Sequence, residues 1–140
     1  MYWKDDRAAQ TGDSLAGLLS AREEDEATGF YWKLENVVVV QGQLFEAAPA
    51  AVSVLLAGLA GPLSKAARGW ALELLFQLVA GESDESAVER GNPDLGPRCR
   101  AVAREGLWLL YGLVGGPYDE EARQILERVD GDSGRLEALT

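Results

Sequence analysis

Four consecutive valines, Val37–Val40, stand between charged flanks in "YWKLENVVVVQGQLFEAAP" at 31–49, and the conformation of this run constrains the fold class more than any other segment. β-Branched runs favour strands, yet a helix accepts them when burial outweighs propensity: each valine costs a few tenths of a kcal/mol in a helix, against roughly 1.5–3 kcal/mol for a buried apolar side chain. On a helical wheel over 35–46, Glu35, Asn36, Gln43 and Glu46 share one arc, and Leu34, Val37, Val38, Leu44 and Phe45 cover much of the rest. Strand alternation instead mixes polar and apolar groups on both faces. The periodicity therefore predicts a helix, with Gln41 as the one amide left on its apolar side.

The same test elsewhere gives helices. Asp13 is the expected cap of a helix carrying Leu15, Leu18 and Leu19 and running into "REEDE" at 22–26. Pro49 opens a helix over 50–60 that "GP" at 61–62 stops, and Ser64 caps the next, 65–80, which ends at Gly81. A polar stretch, 81–97, reads as the longest loop. Pro97 begins a helix over 98–114, Asp119 caps another to about Val129, and the tail adds one turn. Residues 1–12 are expected to form a flexible N-terminus. At 140 residues the chain makes a single domain.

Three helix ends, "LLAGLAG" at 55, "LLFQLVAG" at 74 and "LLYGLVGG" at 109, form an internal repeat. The stretch "AAPAAVSVLLAGLAG", followed by "KAARGWALELLFQL", resembles HEAT-type repeats over about residues 31–129, with Arg68 near the place where such repeats often carry an arginine. That resemblance implies an all-α, irregular right-handed solenoid of two to three antiparallel helix pairs with one concave binding surface. The 81–97 segment breaks the repeat spacing and keeps a compact helical bundle as the alternative.

Composition narrows the function. A formal charge of -10 repels nucleic-acid phosphates and anionic lipid and favours a basic partner. There is no histidine, so the usual general base, zinc ligand and pH switch are absent together. Cys99 is the only cysteine; it falls on the apolar arc of its helix and reads as a buried structural thiol. Asp130 and Asp132 are spaced like the first ligands of a calcium loop, but the glycine such a loop needs at its sixth position is missing. The glycine-rich "GLVGGP" lacks the lysine and hydroxyl of a phosphate cradle. No secretory signal or bilayer-spanning run is visible, which suits a cytoplasmic protein. These features predict no cofactor, no metal and no enzymatic activity.

Two surfaces remain. Trp70, Glu73 and Gln77 share an arc on the 65–80 helix, and set beside Glu35, Asn36, Gln43 and Glu46 they would form an acidic groove with an aromatic floor. A protein-binding module that engages a basic protein is the expectation, by analogy with bacterial inhibitor or immunity-type proteins; the Ala-, Gly- and Leu-rich composition suits a high-GC bacterium. The alternative is a self-associating scaffold, a homo-oligomer built through Arg100, Arg104, Trp108 and Tyr111.

Overall fold

In the computed structural model, which describes residues 2–139 and side chains from Gln10 onward, the chain is mostly helical. It runs through α1 (Tyr2–Ser20), α2 (Glu24–Glu35), β1 (Val39–Val40), β2 (Gln43–Leu44), α3 (Ala48–Leu59), α4 (Lys65–Ala80) and β3 (Glu82–Ser83). Then follow α5 (Glu85–Glu89), α6 (Leu95–Arg104), α7 (Leu107–Leu113), α8 (Asp119–Val129) and α9 (Ser133–Glu137). The all-α class is what the structure has. The flexible N-terminus expected over 1–12 falls largely on side chains outside the described residues; the backbone is helical from Tyr2, and Asp13 lies inside α1 rather than capping it.

Helix α4 organises the packing, touching α1, α2, α3, α6 and α8. Its burial explains why: Ala67, Ala71, Leu72, Leu74, Leu75, Leu78 and Val79 are all buried, so apolar positions extend around most of its circumference. The start of α4 is fixed from two sides. The Ser64 hydroxyl accepts from Ala67 N at 3.0 Å as an N-cap and donates to Ala21 O at 2.6 Å, tying α4 to the end of α1. Arg68 then reaches back, donating from Nη1 to Leu59 O and from Nη2 to Gly61 O. These bonds satisfy carbonyls that the end of α3 leaves without helical partners.

The valine run is not helical. α2 stops at Glu35 with Asn36 as its C-cap, and the chain enters a hairpin that pairs Val39 with Leu44 and Val40 with Gln43. Gln41 and Gly42 have φ of 50° and 81°, the positive pair that a two-residue type I′ connection requires. The predicted helix over 35–46 is therefore corrected. A β-branched run ahead of a glycine turn favours the extended form, and Val39 and Leu44 bury themselves fully from strands while Val38 does so from the turn before them. Gln41 is exposed, so its amide needs no buried partner.

Three further expectations change. The 81–97 loop contains β3, which pairs in parallel with β2 (Gln43 with Glu82, Leu44 with Ser83), and α5, capped by Asp84. The single helix over 98–114 is two helices, because Glu105 and Gly106 turn back onto Val102 O and Ala103 O and α7 starts afresh. Gly106 meets α3 closely: a Cβ there would lie 2.7 Å from Leu56 Cδ2. Asp119 does not cap α8 through its own N-cap position, which Tyr118 occupies; its carboxylate accepts from Gly115 N and pairs with Arg123.

Candidate functional site

A groove of about 640 Å³ runs between α2 and α4. On α2, Glu24, Tyr31 and Glu35 recur at seven and four residues, a spacing that keeps them on one helical face. On α4, Ala66, Gly69, Trp70, Glu73 and Gln77 form the facing stripe. Gly69 leaves the wall open, since a Cβ placed there meets nothing within 4 Å.

The floor is aromatic. Tyr31 is buried, with its ring 4.7 Å from that of Trp70 and 5.2 Å, edge to face, from that of Trp32. Trp32 itself is 51% exposed and forms a rim. Burial, followed by the charge and hydrogen bond of Glu35 and the charge of Glu73, raises the Tyr31 hydroxyl far above the ordinary phenol range. Tyr31 thus stays a neutral phenol beside the Glu35 charge.

Two of the groove carboxylates are held by neutral donors: Trp70 Nε1 donates to Glu24 Oε2 at 2.6 Å and Gln77 Nε2 donates to Glu73 Oε2 at 2.9 Å. Among the described residues neither these two nor Glu35 forms an ion pair. Other acids do meet arginines, as Glu46, Glu82, Asp119 and Asp130 show. The groove thus gathers three carboxylates without an ion pair over an aromatic floor, with Lys65 as its one basic lining residue among the described residues.

The structure divides the expected site residues. Glu35, Trp70, Glu73 and Gln77 come together as an acidic groove over an aromatic floor. Asn36, Gln43 and Glu46 do not join them, because the hairpin replaces the helix that was to carry them. Asn36 Nδ2 donates to Trp32 O at the end of α2, and Gln43 is exposed on β2. Glu46 takes Arg90 Nε and Nη2 at 2.7 and 2.8 Å and Asn92 Nδ2 at 3.1 Å. Sequence reasoning missed Glu24, Tyr31 and Trp32. The signal was the helical spacing within "EDEATGFYWKLE", obscured because the predicted helix over 35–46 took Glu35 out of that segment.

The alternative face is largely engaged within the chain. Arg100 Nη1 donates to Val79 O and Nη2 pairs with Glu82; Arg104 Nε donates to Val129 O; the Tyr111 hydroxyl donates to Asp130. Of the four residues Trp108 stays outside, 70% exposed. Cys99 is fully buried, and desolvation pushes its thiol up to about 12.

No protein-family model, curated protein or solved structure matches the chain. The chemistry of the groove is the guide to its ligand.

Proposed function

We propose that the protein is a non-enzymatic binding module whose α2–α4 groove docks a basic segment of a protein partner, as an inhibitor or immunity-type protein would. One observation carries this: Glu24 and Glu73 are oriented by Trp70 and Gln77, Glu35 lines the same groove, and none of the three forms an ion pair among the described residues. Carboxylates held in place without a counter-charge favour an incoming cation, and an aromatic floor adds apolar area and π-face attraction. The formal charge of -10 steers a basic partner toward the surface and disfavours nucleic acid. A reducing, cytoplasmic setting suits the single buried thiol. No helix among the described residues is long and apolar enough to cross a membrane.

The test must separate the groove from bulk charge. A basic dodecapeptide of alternating arginine, lysine and glycine is titrated into the protein, into Glu35→Gln/Glu73→Gln, and into Glu120→Gln/Glu121→Gln on exposed α8, which makes the same change in net charge. The groove variant is expected to bind about tenfold more weakly than the α8 variant. Equal loss in both would mean that the peptide responds to net charge, and the groove reading would fall.

A further inference from the structure

The groove selects among cations. Three features of its geometry bear on the choice, and the choice rests on the groove being the docking site proposed above. First, the charges are spread out. No three acidic side chains among the described residues converge in the way that holds a metal ion, so a point charge has no nest there. Second, the carboxylates have acceptor capacity to spare: Glu24 Oε2 and Glu73 Oε2 each take one neutral donor, and their Oε1 atoms take none among the described residues. A quaternary ammonium has no N–H to offer them. Third, the indoles of Trp32 and Trp70 flank the space that Gly69 leaves open, which gives a flat group room to lie against a ring.

We propose that the groove is an arginine-recognition site, in which a guanidinium stacks on the Trp70 ring of the floor, beside the Trp32 rim, and donates to Glu73 together with Glu35 or Glu24. A guanidinium is planar, carries five N–H donors in a fixed fork and sheds its hydration more readily than an ammonium. It reaches two separated carboxylates at once while keeping a face for the indole. Lysine, a compact and strongly hydrated point charge, satisfies one carboxylate and leaves the ring face unused. Gln77 is a positioning residue: it holds the Glu73 carboxylate in the orientation that the fork meets.

Four pentapeptides, Gly-Gly-X-Gly-Gly with blocked ends and X as arginine, lysine, trimethyl-lysine or citrulline, separate the outcomes. Each is titrated into 15N-labelled protein at low ionic strength, following the indole Nε1–H resonances of Trp32 and Trp70. The arginine peptide is expected to bind about tenfold more tightly than the lysine peptide, and the uncharged citrulline peptide not at all. Glu73→Gln weakens the arginine peptide by about tenfold. Gly69→Leu blocks it while keeping or raising the melting temperature, since glycine inside a helix is costly and the added side chain meets open space. That variant removes the site without threatening the fold.

Equal binding of arginine and lysine, lost in both by Gly69→Leu, would overturn arginine selectivity and leave the basic-partner reading standing. Tightest binding of trimethyl-lysine would overturn it in favour of an aromatic box. No shift at either indole with any peptide would overturn it as well. If the dodecapeptide were also indifferent to Glu35→Gln/Glu73→Gln, the proposed function would fall with it.

Discussion

Glu46 and Glu73 are both glutamates on partly covered surface, and their neighbours give them different roles. Hydrogen bonding from Arg90, the largest influence on Glu46, with Asn92 and the chain's own backbone assisting, holds its carboxyl at about 2. A carboxylate depressed in the folded state stabilises the protein above its unfolded value, near 4.5, and that contribution disappears as pH falls toward 2. The pair is half exposed on the arginine side, so solvent screening keeps the effect modest. Glu46→Gln is therefore expected to melt slightly lower than the native protein at pH 7, with the gap closing between pH 4.5 and 2. Thermal melts across that range check it; a gap still present at pH 2 would assign the loss to packing rather than charge. Glu73 has no such partner, which is why it is the one available to a ligand.

The hairpin shows where local signals compete. Residues 35–46 satisfy a helical arc and a hairpin almost equally well in apolar content, and the Gln41–Gly42 pair decides the matter by supplying two positive φ values. Glutamine is a poor occupant of that first position: an L residue with a β-carbon is strained there by about 1–2 kcal/mol, and asparagine less so. Gln41→Asn is expected to raise stability by about 0.5–1 kcal/mol, read from urea unfolding, with the hairpin unchanged. A helix across this segment would make the same substitution neutral or unfavourable. Elements bounded by strong punctuation were legible from sequence: Pro49 and Ser64 open α3 and α4, and Gly81 closes α4. The facing stripe of Trp70, Glu73 and Gln77 was legible too, because periodicity within one helix is local information. Its α2 counterpart was not. That register depends on burying Ala27, Tyr31 and Leu34 against the rest of the chain, and no short window of sequence contains that. The break at Gly106 was hidden for the same reason, since its cause is Leu56 on a distant helix.

At the scale of the whole molecule, 23 acidic residues face 13 basic ones, and the folded state carries the resulting self-repulsion. Raising sodium chloride from about 10 mM to 0.2 M shortens the screening length from roughly 30 Å to under 10 Å. The melting temperature is then expected to rise by a few degrees in calorimetry, while affinity at the groove falls. Opposite signs for stability and binding distinguish diffuse repulsion from the localised attraction of Glu24, Glu35 and Glu73. A melting temperature that declined with salt would show that the arginine pairs dominate instead.

The parallel contact of β2 with β3 also bears on how the chain assembles. Residues 43–44 meet residues 82–83 only after α3 and α4 have doubled back between them, so this seam closes a loop of chain that contains the central helix. Contacts that span so much chain form late and slowly, because the ends must find each other before anything rewards them. The β2–β3 seam is in that sense the buckle of the structure. Unfastened, it would leave the strand edge at Gln43 and Leu44 open to a neighbouring chain.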